Sequence, residues 1–172
     1  MGAGKSTVGR RLATKLQRPF FDLDHYIEKQ TACQITDIFT HQGEEQFRQL
    51  ESESLRQLLH RHDEPLVLAT GGGAILREQN RKLMRAQGIV IFLAASWETI
   101  YQRLANNNSR PLINPHHNHN PTAADEKKKR EKIKDLLTSR KPFYNFHDLK
   151  IVTDHKDIET IVQEIITKLV PT

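Results

Sequence analysis

Apolar positions alternate along the chain between helical spacing and short continuous runs. Val8, Leu12 and Leu16 recur at helical intervals and predict a first helix from Lys5 to about Gln17, stopped by Pro19. Pro19-Phe20-Phe21-Asp22 reads as a short strand ending on a polar pair, Asp22 and Asp24, whose two-residue offset aims both side chains the same way at a strand end. The competing reading has Asp24 capping a helix that begins His25-Tyr26-Ile27-Glu28. Residues 35 to 60 read as helical with a break near Gly43, and in their second half Phe47, Leu50, Ser54, Leu55, Leu58 and Leu59 share one face. On that helix Arg48 stands four after Glu44 and three before Glu51, which by periodicity alone is an intrahelical ion pair.

The run Leu66 to Thr70 suits a buried parallel strand and leads into Gly71-Gly72-Gly73. A helix from about Arg77 to Gln87 follows, then a strand over Ile89 to Leu93 and a helix from Ser96 to about Asn106 with Trp97, Ile100, Tyr101 and Leu104 on one side. Residues 106 to 125 change character to Asn, His and Pro and are expected to form a lid, followed by a basic helix to about Ser139. A strand near Leu149 to Val152 and a helix with Ile158, Ile161, Val162, Ile165, Ile166 and Leu169 on its core face close the chain. Alternation of strand and helix predicts an α/β fold, a parallel sheet between two layers of helices, in a single domain over 1–172.

Composition narrows the class. One cysteine, Cys33, excludes an internal disulfide and suits a reducing cytoplasm, and no leader of charged then apolar residues opens the chain. No run approaches the roughly 20 apolar residues a bilayer crossing needs. The net charge of +5 raises the possibility of nucleic acid, but the basic residues are interleaved with Glu and Asp, and the run Lys127 to Arg130 is flanked by Glu126 and Glu131. Aromatic stacking platforms are missing among those basic residues, so nucleic acid is not expected as a partner. The histidines His116, His117 and His119 have no cysteine or carboxylate pair to complete a zinc site and read as solvated.

The chemistry is concentrated at the start. Gly2-Ala3-Gly4-Lys5-Ser6-Thr7 carries the second half of G-x-x-x-x-G-K-[ST], the loop whose backbone amides wrap phosphate oxygens while the lysine reaches the β and γ phosphates and the hydroxyl ligates magnesium. A helix starting near Lys5 adds its amino-terminal amides and dipole to the same anion site. The pattern's first glycine would lie two residues before Met1, preceded by the strand that delivers the loop. The expectation is a natural start upstream, with the first central strand missing from this sequence. Three glycines at the carboxyl end of a strand let a ligand approach the backbone closely.

Taken together these stretches resemble the shikimate kinase family of P-loop kinases, related in fold to nucleoside monophosphate kinases. The resemblance runs through G-A-G-K-S-T at 2 to 7, D-L-D at 22 to 24, Ile38-Phe39, Gly43-Glu44, Phe47-Arg48 and Glu51. It continues with T-G-G-G at 70 to 73, R-P-L-I at 110 to 113 and R-K-P-F-Y at 140 to 144. It implies transfer of the γ phosphate of ATP, with Mg2+, to the 3-hydroxyl of shikimate, a step toward chorismate and the aromatic amino acids, by a cytoplasmic monomer. Gly2, Ala3, Gly4, Lys5, Ser6, Thr7 and Arg110 would bind the nucleotide, Lys5 and Arg110 also serving the transfer, with Ser6 and Asp22 on the metal. Asp24 would orient and deprotonate the acceptor hydroxyl, Arg48 and Arg140 would clamp its carboxylate, and Gly71, Gly72 and Gly73 would line its site. Ala32 stands where the family usually has glycine, a departure that concerns a turn. The alternatives are another kinase of this fold acting on gluconate or a nucleoside monophosphate, and a catalytically silent ligand-binding module.

Overall fold

The computed structural model describes residues 2–62, 64–105 and 123–169; at 105, 123–126 and 129 only the backbone is described. Its elements, in order, are α1 (Lys5–Leu16), β1 (Phe20–Asp22), α2 (Leu23–Thr31), α3 (Ile35–Arg61), β2 (Val67–Ala69), a 3-10 turn (Ala74–Leu76), α4 (Glu78–Gln87), β3 (Ile91–Ala94), α5 (Trp97–Ala105), α6 (Ala123–Arg140), a second 3-10 turn (Lys141–Asn145), β4 (Leu149–Val152) and α7 (Ile158–Leu169). The strands form two parallel pairs. Phe20, Phe21 and Asp22 of β1 face Val67, Leu68 and Ala69 of β2, and Ile91 to Ala94 of β3 face Leu149 to Val152 of β4. Among the described residues no ladder joins β2 to β3.

Two cores hold the strands between helices. On one side Val8 and Leu12 of α1 and Ile161, Val162 and Ile165 of α7 pack with Leu93 and Ile151, and Val67 and Ile91 join them, so both strand pairs share this face. On the other, Leu23 and Ile27 of α2 pack with Ile38, Phe47, Leu55 and Leu58 of α3, with Phe21 and Leu68 against them. The result is the expected three-layer α/β arrangement, with helices on both faces of parallel strands. A third cluster, Ile100, Leu104 and Ile133, joins α5 to α6. Among the described residues no helix is long and apolar enough to cross a membrane.

Several boundaries differ from the sequence expectation for local reasons. The helix after β1 begins at Leu23, so Asp22 and Asp24 belong to different elements rather than to one strand end. Asp22 is the cap: its side chain accepts from the backbone amides of Asp24 and His25, at 3.1 and 3.5 Å. Asp24 lies inside the first turn, where a carboxylate complements the helix dipole. α3 keeps its break at Gly43, whose φ of 82° is not helical. The glycine run passes into a 3-10 turn before α4, an element that three apolar residues, Ala74 to Leu76, are too few to announce by periodicity. Ile158 is 43% exposed and not part of the core face: as the first residue of α7 it precedes the turn at which the helix meets the strands.

α2 ends on Ala32 in the left-handed region, φ 53° and ψ 24°. A side chain there crowds the following carbonyl, at a cost of about 1 kcal/mol that glycine avoids. Ala32→Gly is therefore expected to raise the stability of the chain by about 0.5–1 kcal/mol. A rightward shift of the urea unfolding midpoint would register the gain, and a leftward shift would contradict the strain.

Candidate active site

The amino end of α1 is built for an anion. Gly2 and Gly4 take φ values of 67° and 86°, open to glycine at little cost, and curl the chain into the helix at Lys5. Gly4 is the N-cap; no side chain caps the helix and no acidic residue of its own occupies the first turn, so the amino-terminal amides and the positive end of the dipole are presented uncapped. Arg103 of α5 reaches the Gly2 carbonyl at 3.5 Å and, at the end of β4, the Thr153 hydroxyl at 3.3 Å and carbonyl at 3.2 Å, which ties the loop to the second strand pair.

Ser6, in the first turn of α1, donates its hydroxyl to Asp22 Oδ2 at 2.5 Å. Asp22 thus spends one oxygen on Ser6 and the other on the amides that open α2. This carboxylate is the hinge between the phosphate loop and the residues that follow β1. A hydroxyl and a carboxylate oxygen meeting at the mouth of an anion site are hard donors of the type magnesium accepts, and the pair fits that ion with water completing the shell. Among the described residues no group of three or more His, Cys, Asp or Glu side chains gathers to hold a metal by itself, consistent with an ion shared with phosphate oxygens.

Beyond Asp22 lies a pocket of buried charge. Arg48 is 7% exposed, Glu51 1% and Arg140 5%. Arg48 donates through Nη1 to Glu51 Oε2 at 2.9 Å, and through Nη2 to Glu44 Oε1 at 3.0 Å at the rim. Both intrahelical ion pairs expected from spacing are present, and neither explains why the guanidinium is buried. The glycine turn explains how. A methyl group on Gly73 would collide with the Arg48 guanidinium, and one on Gly71 would lie 2.7 Å from both Asp24 Oδ1 and Glu51 Oε1. The backbone of the loop after β2 therefore forms the wall against which Asp24, Arg48 and Glu51 converge, and any side chain at Gly71 or Gly73 displaces them. Gly72 sits between those two, half-buried in the same turn.

Arg140, the last residue of α6, enters from the opposite side. Tyr144 lies near enough to act on its charge. The Tyr144 ring is stacked on Phe92 of β3 with centroids 5.0 Å apart, fixing the direction from which the guanidinium approaches. Burial lowers the pKa of Arg140; Tyr144 opposes that, and the neighbouring charge of Arg48 lowers it further. Burial also works against the charge of Arg48, but Glu51 and Glu44 outweigh it and the pKa is raised. Burial raises the pKa of Glu51; Arg48 opposes this and the charge of Asp24 adds to it. Burial likewise raises Tyr144, against the pull of Arg140. Two guanidiniums thus stand near one another in a desolvated neighbourhood, each working against the charge of the other.

Of the residues singled out in the sequence, Gly2 to Gly4 form a loop that runs into Lys5, Ser6 and Thr7 in the first turn of α1, Ser6 and Asp22 touch, and Asp24, Arg48, Gly71, Gly73 and Arg140 share one neighbourhood with Gly72 in the turn beside it. Arg110, the histidines at 116, 117 and 119, and the lid over 106–122 lie outside the described residues; 123–125 belong to α6. Glu51 and Tyr144 emerge as site residues whose roles motif reading left unstated. The signal for Glu51 was present: it interrupts a buried stripe of Phe47, Ser54, Leu55 and Leu58 with a carboxylate.

A glycine loop at an uncapped helix amino end, a hydroxyl and carboxylate at its mouth and a second anion pocket alongside define a P-loop phosphotransferase acting on an acidic small molecule. The shikimate kinase family model matches residues 1–170. A shikimate kinase of Dictyoglomus turgidum is 39% identical over 98% of this chain and 92% of its own length, and one of Thioalkalivibrio sulfidiphilus is 43% identical over 96% and 80%. The solved shikimate kinase from Acinetobacter baumannii in complex with shikimate superposes with a TM-score of 0.84 at 38% identity, covering 98% of this chain and 88% of that one. The chain belongs to the shikimate kinase family, and ATP and Mg2+ are the cofactors of that family.

Proposed function

We propose that the chain, as one cytoplasmic monomeric domain over 1–172, transfers the γ-phosphoryl group of ATP to the 3-hydroxyl of shikimate. The observation that carries this reading is the pair of buried guanidiniums, Arg48 and Arg140, set beside Asp24 against a wall of glycine. Shikimate offers a planar carboxylate for the first two and ring hydroxyls for the third. Gluconate and nucleoside monophosphates would present a flexible chain or a phosphate to the same fork.

The roles divide by position. The amides of Gly2 to Thr7 cradle the nucleotide phosphates, and Lys5 offsets charge developing on the group in transfer. Ser6 and, through water, Asp22 would hold magnesium, which would screen the phosphate oxygens from one another. Arg48 and Arg140 fix the acceptor by its carboxylate, with the backbone of Gly71 to Gly73 beneath it. Asp24 accepts from the acceptor hydroxyls, orients the attacking one and takes its proton. Arg110 completes the nucleotide side from the expected lid over 106–122, which would exclude water as a competing acceptor.

The test is ADP release from ATP and Mg2+ with shikimate, gluconate and AMP offered separately. Turnover with shikimate alone is the expected result. Turnover with gluconate or AMP and not shikimate would replace this reading with the neighbouring kinase activity. Shikimate binding by calorimetry with no ADP release would mark a silent binding module.

A further inference from the structure

The buried pocket contains one atom whose chemistry the roles above do not use. Glu51 Oε2 takes the bond from Arg48, but Oε1, fully buried, has no hydrogen-bond partner among the described residues. That oxygen faces the glycine wall at the point where Asp24 Oδ1 also arrives. A buried carboxylate oxygen that meets no protein donor is disfavoured in its ionised form. The groups facing Glu51 are Arg48 and, at the rim, Glu44 from its own helix, Asp24 from α2, and Arg140 with its neighbour Tyr144 from α6 and the turn after it. Within the buried part of the cluster Arg48 and Arg140 are balanced by Asp24 and Glu51 when both carboxylates are ionised, and Glu44 adds negative charge at the rim. An acceptor carboxylate brings a third negative charge into a space that holds two positive ones.

We propose that Glu51 is a positioning residue that takes up one proton from solvent as the acidic acceptor binds. Protonation at Oε1 turns the orphaned acceptor into a donor toward the Asp24 carboxylate and keeps the pocket neutral. It also relaxes the hold of Glu51 on Arg48, whose guanidinium turns its charge to the incoming carboxylate. The proton returns to solvent when the product leaves, so nothing is consumed. Burial favours the same direction, because the pKa of Glu51 already lies above that of an exposed glutamate before any further anion arrives. In the free chain a raised carboxyl pKa supplies stability that is complete below the unfolded value and lost as pH rises through the folded one. Glu51→Gln, neutral at every pH, removes that dependence. The inference rests on Arg48 and Arg140 being the carboxylate clamp.

Calorimetry separates the two ideas. Shikimate is titrated into the unaltered chain at one pH in buffers of differing ionisation enthalpy, then across a pH series. The proposal predicts an observed enthalpy that varies with the buffer in the sense of net uptake, approaching one proton. It also predicts affinity that tightens on acidification by up to about tenfold per pH unit where uptake is complete. Glu51→Gln abolishes both dependences while still binding shikimate, and Glu44→Gln keeps them. A second readout needs no variant: adding shikimate carrying 13C in its carboxyl group produces the infrared band of an unlabelled protonated carboxylic acid. Shikimate binding with no buffer dependence and no such band overturns the proposal and leaves the clamp standing. Uptake that persists in a folded Glu51→Gln also overturns it. Absence of shikimate binding by the unaltered chain would overturn the clamp and the proposal together.

Discussion

Replacing Lys5 by methionine is expected to lower shikimate phosphorylation by about a thousandfold or more and to leave the fold intact. Phosphoryl transfer asks little covalent chemistry of a protein, so the rate depends on charges fixed where the transferring oxygens become more negative; removing one such donor costs roughly 10²–10³, and more where it is the principal cation. Lys5 is the first residue of α1, half-buried at the mouth of the loop, while the packing of that helix is carried by Val8, Leu12 and Ala13. Methionine keeps the length and the helix propensity of lysine, so the thermal midpoint should move by no more than a surface substitution does, within about 0.5 kcal/mol. Activity within tenfold of the unaltered chain would show that the amides of the loop do the electrostatic work without the side chain. Loss of activity with loss of fold would mean that Lys5 holds the loop together.

Asp24→Asn is expected to cost about 10²–10⁴ in turnover, the range of a positioned general base, with a much smaller change in shikimate affinity. The substitution is clean because of where the cap falls. Asp22 caps α2, and the bonds it receives come from backbone amides that asparagine keeps. On the folding side it removes the dipole interaction of a first-turn carboxylate, about 0.3–1 kcal/mol, together with the charge that Asp24 sets beside Glu51. Steady-state kinetics together with a denaturation curve therefore separate the two roles. Intact phosphorylation in Asp24→Asn would reduce Asp24 to a residue that complements the helix dipole.

The contrast between these aspartates shows what sequence could and could not say. The helices were legible because Val8, Leu12 and Leu16, or Phe47, Leu55 and Leu58, repeat at the period their faces require. The phosphate loop was legible because its chemistry demands glycine, lysine and a hydroxyl at fixed offsets, and Gly2 and Gly4 do adopt conformations open to glycine. Which aspartate caps α2 was not legible, because the boundary moves by two residues with the exact end of β1. For Arg48, spacing alone favoured the intrahelical ion pair over a role at the site. Its ion pairs with Glu44 and Glu51 are as local as spacing implies. Its burial involves the glycine wall from another element, and only the tertiary arrangement brings it near a second buried guanidinium, Arg140. The division of the strands into two pairs rests on hydrogen-bond partners that no local pattern encodes.

The clamp is tested most directly by offering shikimate and its primary amide, which differ only in the charged group, to the unaltered chain and to the Arg48→Ala/Arg140→Ala double variant. Each charge-assisted bidentate contact is worth about 1.5–3 kcal/mol, so the unaltered chain should prefer shikimate by roughly a hundredfold or more in kcat/KM, and the double variant should scarcely distinguish the two. Equal use of acid and amide by the unaltered chain, or an undiminished preference in the double variant, would contradict it.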